Sequence, residues 1–171
     1  GYVGVVPALI SKSKGTDFVI VASANLEGSA IVAKTSIQNA TDLNGKRVGT
    51  PGIGTIQDSL LYMMEQQLNI TTVHVSYPGP SFLPLALERG DEIDAYIAWE
   101  PFAAEAVVND LGHVVFTSHD ILPNHQCCVL YVSGKMFREQ PDLAKRLIKI
   151  HLKAMKYVTE RPNDAMAIFA N

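Results

Sequence analysis

The stretch DAYIAWEPF, residues 94–102, decides how the chain is read. Ala95, Tyr96, Ile97 and Ala98 form a near-continuous apolar run, the pattern of a strand covered on both faces. The run delivers Trp99 and Glu100 at its carboxyl end and then meets Pro101, a residue suited to the first position of a helix. Ligands of α/β sheets sit outside the carboxyl ends of the strands, so an aromatic and a carboxylate placed here are candidates for the wall of a cleft.

The same grammar occurs upstream. GKRVGTPGIGTIQD, residues 45–58, reads as a strand over residues 47–50, a glycine-rich turn and a helix start. Thr55 and Asp58 are spaced as a capping box with Asp in place of Glu. Ile56, Leu60, Leu61, Met64 and Leu68 follow at helical spacing. Gly54, Thr55 and Ile56 thus offer free backbone N–H groups, and Thr55 a hydroxyl, at the positive end of a helix. That setting favours an anion by about 0.3–2 kcal/mol. The same residues also read as a plain capped helix.

Outward from these two segments the pattern alternates. Helices are expected over residues 7–13, 82–89 (stopped by Gly90) and 101–111 (before Gly112). Strands are expected over residues 17–23, 30–34, 72–77, 114–117 and 127–132. A long amphipathic helix over residues 142–160 carries Leu143, Leu147, Ile150, Ala154 and Tyr157 on one face, and a further helix covers residues 163–170. Strands alternating with helices from residue 47 to 117 imply an α/β fold with a mostly parallel sheet.

The chain has 171 residues, 47% of them hydrophobic, enough for one domain or two small lobes. A formal net charge of −3, with no basic run, argues against a nucleic-acid partner. No apolar stretch approaches the roughly 20 residues of a membrane helix. Cys127 and Cys128 are the only cysteines. A disulfide between neighbours strains the intervening peptide, so they are expected as packing thiols on alternate faces of a strand. His74, His113, His119, His125 and His151 show no metal-ligand spacing, and neither a metal nor a cofactor is expected. No nucleophile elbow, phosphate-binding loop, dinucleotide fingerprint or paired carboxylates emerge, so the expectation is a binding protein rather than an enzyme. GYVGVVPAL opens inside an apolar pattern and without Met, as expected for a piece of a longer chain.

Three blocks carry a resemblance: DLNGKRVGTPGIGTIQDSLL, ALERGDEIDAYIAWEPFAAEAV and CCVLYVSGKMFREQPDLAKRLIKIHLKA. In order and spacing they resemble the periplasmic substrate-binding proteins of ABC importers, in particular the nitrate/sulfonate/taurine type. The resemblance covers essentially the whole chain. It implies a two-lobed periplasmic-binding-protein-like (type II) fold that closes on its ligand about a hinge. Residues 1–29 would belong to lobe one, residues 30–125 would form lobe two, and residues 126–171 would return to or flank lobe one. The strand–helix–strand unit that precedes GYVGVVP in the family is absent here, so lobe one would be incomplete.

The resemblance also implies the partners: a small anionic or zwitterionic ligand such as a sulfonate, taurine or nitrate, and an ABC permease. It implies a monomer at the outer face of the cytoplasmic membrane, free in the periplasm or lipid-anchored. Gly54, Thr55 and Ile56 would hold the anionic head. Trp99 would form an apolar or stacking wall, or else serve as a core aromatic. Glu100 would accept from a ligand amine, or cap the following helix. Tyr2, Gly4 and Val5 end a lobe-one strand, where glycine permits close backbone approach, and Asn25 ends the next. An aminopyrimidine precursor of thiamine, bound or synthesised on the same fold, is the alternative, kept open by His125, Cys127 and Cys128. The effector domain of a transcription regulator is a third reading on the same fold.

Overall fold

The computed structural model describes residues 1–170. Two sheets divide the strands. A three-stranded antiparallel sheet holds β1 (Tyr2–Gly4), β8 (Gln126–Ser133) and β2 (Phe18–Leu26), with β8 central. A five-stranded sheet runs in the order β5 (Val73–Ser76), β4 (Arg47–Thr50), β6 (Ala95–Trp99), β3 (Ser29–Ala33), β7 (His113–Thr117).

Within the larger sheet β4 pairs parallel with β5 and β6, whereas β3 pairs antiparallel with both β6 and β7. The mostly parallel sheet expected from the strand–helix alternation is therefore mixed. β4, β5, β6 and β7 point one way and β3 is inserted against them. The reason is its origin: β3 arrives directly from β2 through Glu27 and Gly28, not from a strand–helix–strand unit.

Alternation along β3 and β6 feeds two cores. Ile31, Ala33, Ala95 and Ile97 face one side, with Val48, Leu60, Leu61 and Met64. Ala30, Val32, Tyr96 and Ala98 face the other, with Leu83, Leu87 and Ile93. Helix α2 (Ile56–Leu68) covers the first side. Helices α3 (Leu83–Arg89) and α4 (Phe102–Val108) cover the second. Gly49 in β4 admits this close cover, since a Cβ there would sit 2.8 Å from Leu83 Cδ2. Gly90 ends α3 in the left-handed conformation, φ 82°.

Helix α1 (Val5–Ser13) lies on the small sheet, with its Ala8 buried in one cluster with Phe18 and Val129. The C-terminal segment comprises α6 (Gly134–Glu139), α7 (Pro141–Glu160) and α8 (Pro162–Ala170). Of these α6 was not expected, although Ser133 caps it by accepting the Met136 N–H at 3.1 Å. Helix α7 returns to the small sheet, where His151 Nε2 bonds the Ser23 carbonyl at 2.8 Å. No described helix is long and apolar enough to cross a membrane. A four-residue helix, α5 (Ser118–Ile121), precedes the second crossover between the sheets. The two crossovers run side by side, joined by the Glu27 N–H to the His125 carbonyl at 3.0 Å.

Candidate functional site

A cleft of about 440 Å³ opens between the two sheets. The small-sheet side contributes Gly4, Pro7, Asn25, Cys127 and Cys128, the crossover Gly28, and the large-sheet side Thr55, Ile56, Gln57, Trp99 and Glu100. The cleft thus lies at the carboxyl ends of β4 and β6, where parallel strands present side chains to ligands.

The turn after β4 is built as a cap. Thr55 is the N-cap of α2, and its hydroxyl accepts the Asp58 N–H at 3.3 Å while donating to the Gly52 carbonyl at 2.7 Å. The Asp58 carboxylate accepts the Gly54 N–H at 2.9 Å. Gly54 was expected with a free N–H; the structure commits that group, and Gly54 does not line the cleft. The Ile56 and Gln57 N–H groups have no acceptor among the described residues, so the helix presents two donors at the cleft. Behind the turn, Asp58 Oδ1 lies 3.6 Å from His74 Nδ1, and His74 Nε2 lies 3.2 Å from Glu65 Oε1.

Trp99 stands at the end of β6, half-buried, edge-on to Phe102 with ring centroids 6.0 Å apart. Glu100 follows, and its carboxylate accepts the Ala104 N–H at 2.9 Å. It caps helix α4 and borders the cleft at once, so the two expectations for this side chain are compatible. Pro101 precedes α4 as its N-cap, where it was expected as the first helical residue, and the Glu100–Pro101 peptide is cis. Among the described residues Glu100 is the one carboxylate lining the cleft, and no Lys, Arg or His lines it with Glu100.

Of the other residues singled out in the sequence, Gly4 and Asn25 line the cleft. Tyr2 does not; its hydroxyl meets His151 Nδ1 at 3.0 Å. Val5 packs against two buried clusters, that of the large sheet with α2 and that of Ala8, Phe18 and Val129.

Pro7, Gly28 and Gln57 line the cleft without having been singled out for it, and Cys127 and Cys128, tied in the sequence only to the aminopyrimidine alternative, line it too. Gln57 follows Thr55 and Ile56 in the first turn of α2 and was legible from that position. The cysteines were not. They were expected on alternate faces, but both border the cleft with sulfurs 3.8 Å apart. The cause is a β-bulge. Asn25 pairs with Cys128 and Leu26 with Gln126, which leaves Cys127 without a partner in β2 and turns it to its neighbour's side. Burial, and then the adjacent Cys128, push the Cys127 thiol up to about 11, so it is protonated at neutral pH.

Residues 1–170 match the NMT1-like family. None of the curated proteins matches the chain by sequence. Solved structures share the fold. The periplasmic aliphatic sulphonate binding protein of Escherichia coli superposes with a TM-score of 0.82 at 18% identity, over 99% of this chain and 59% of its own. The ligand binding component of an ABC-type import system from Staphylococcus aureus gives 0.78 at 24% identity, over 88% and 53%. The periplasmic nitrate-binding protein of Synechocystis PCC 6803 gives 0.75 at 15% identity, over 93% and 45%. The chain therefore spans about half the length of these structures, and its two-lobed periplasmic-binding-protein fold has lobe one incomplete.

Proposed function

For a chain that belongs to the NMT1-like family, we propose the role of a solute receptor that binds a small organosulfonate or kindred zwitterion between its lobes and passes it to an ABC permease. The observation that carries this reading is the cleft itself, open between two sheets and bordered by an aromatic, a carboxylate and a helix N-terminus. The named solved structures are those of binding proteins, which supports binding rather than catalysis and an extracytoplasmic place of action.

The chemistry of the lining narrows the ligand. Two uncommitted N–H groups at α2 suit an anionic head. Trp99 suits an apolar body. Glu100 suits an amine and repels a bare anion, and among the described residues no cationic side chain lines the cleft beside it. Asp58 adds a second negative charge behind the turn. A taurine-like ligand, sulfonate at one end and ammonium at the other, satisfies the two N–H donors, Trp99 and Glu100, and only Asp58 opposes its sulfonate. Nitrate satisfies only the two N–H donors. Closure would bring the small sheet, with Gly4 and Asn25, onto the ligand about the paired crossovers at Glu27–His125. Residues 1–29 and 126–171 would then move as one lobe against residues 30–125.

Isothermal titration of the protein with taurine, ethanesulfonate and nitrate tests the reading. It expects saturable binding of the first two and at least tenfold weaker binding of nitrate. Binding of nitrate alone would overturn it.

A further inference from the structure

We propose that Cys127 and Cys128 form a thiophilic site on the cleft wall that takes a trivalent arsenic hydroxide, both sulfurs bonding one arsenic atom. The proposal rests on the placement of the two thiols and does not depend on which ligand the cleft carries.

Geometry comes first. In a regular strand neighbouring side chains point to opposite faces. The bulge at Cys127 cancels that alternation and sets the two sulfurs 3.8 Å apart, beside the opening. Trivalent arsenic is pyramidal, and two bonds to sulfur of about 2.3 Å at an angle of about 95° span roughly 3.4 Å. The pair, at 3.8 Å, comes within about 0.4 Å of the span of a shared arsenic, a closure that small side-chain rotations supply. A disulfide would require the sulfurs to close to about 2.05 Å.

The donor set then selects the atom. Structural zinc asks for four protein ligands and catalytic zinc for three. Among the described residues no group of three His, Cys, Asp or Glu side chains is placed to hold a metal ion. A trivalent arsenical needs only two sulfurs and keeps its third substituent.

Protonation agrees. Burial holds Cys127 as the neutral thiol, and the reaction needs no net charge. An organoarsonous acid, RAs(OH)₂, condenses with the two thiols. Two As–S bonds form, two As–O and two S–H bonds break, and each thiol proton leaves with a hydroxyl as water. Arsenic stays trivalent and no oxidant takes part.

The test uses phenylarsine oxide on the full chain, equimolar, with a hundredfold excess of 2-mercaptoethanol, read by intact mass. With only these two cysteines present, the expected product is one phenylarsenic per chain, removed by 2,3-dimercaptopropanol. Cys127→Ala and Cys128→Ser, checked for native circular dichroism, should each lose the adduct. Alkylation of the wild type supplies a second readout that needs no variant: bound arsenical should protect the partly exposed Cys128 from iodoacetamide. A reduced, folded chain that stays unlabelled, an adduct that survives in either folded variant, or Cys128 alkylated at its unprotected rate would overturn the proposal.

Discussion

The Asp58 carboxylate accepts the Gly54 N–H at 2.9 Å, so the turn that opens helix α2 carries its own negative charge. That charge sits within one turn of the two N–H groups facing the cleft and competes with any ligand anion. Asp58→Asn keeps an acceptor for Gly54 and removes the charge. Affinity for ethanesulfonate should rise about 2- to 30-fold, the range set by charge terms at a helix terminus. Unchanged affinity in calorimetry would place the anionic head elsewhere.

Trp99 ends β6 with one face packed edge-on to Phe102 and its remaining surface at the cleft. Trp99→Ala should weaken organosulfonate binding about 5- to 150-fold, corresponding to about 1–3 kcal/mol of lost apolar contact. The far-UV circular dichroism should stay native. Native affinity in the folded variant would remove Trp99 from the cleft wall.

Glu100 distinguishes zwitterions from plain anions. Glu100→Gln preserves an acceptor for the Ala104 N–H while discharging the cleft. The ratio of taurine to ethanesulfonate affinity should fall by about tenfold or more, as expected when a charge-assisted hydrogen bond is lost. An unchanged ratio would confine Glu100 to its capping role.

Asp94 fastens three strands at one end of the large sheet. It accepts the Arg47 N–H at 2.9 Å and the Lys34 ammonium at 3.2 Å. Burial raises its pKa, but the Arg47 N–H and then Lys34 outweigh that, and the carboxyl sits below its ordinary value. A depressed folded pKa stabilises above the unfolded value of about 3.9 and loses that contribution as pH falls through the folded one. Asp94→Asn should cost about 1 kcal/mol at pH 7, with the gap to wild type shrinking below about pH 4 in urea titrations. A gap that stays constant with pH would contradict this.

The sequence disclosed the two strand ends that frame the cleft because local chemistry dictates them. The apolar run of residues 95–98 needs cover on both faces, and Thr55 at the head of a periodic segment caps it. What stayed hidden depends on partners distant in sequence. The insertion of β3 against its neighbours follows from a crossover that local patterning does not encode. The bulge at Cys127 exists only in register with β2, about a hundred residues away, so the facing of both thiols could not be read from an alternating strand. The engagement of Gly54 follows from the turn. The Thr55 N–H is already given to the Gly52 carbonyl, and the Asp58 carboxylate takes the N–H one residue before the N-cap.

Trp99 is the only tryptophan of the chain and it borders the cleft, so its fluorescence reports the occupancy of that cleft alone. The most direct measurement is a fluorescence titration with taurine and ethanesulfonate, with nitrate alongside. The account predicts a saturable change with both sulfonates at concentrations at least tenfold below any response to nitrate. A tryptophan signal that stays flat while calorimetry records sulfonate binding would contradict it, because the ligand would then sit outside the cleft between the two sheets.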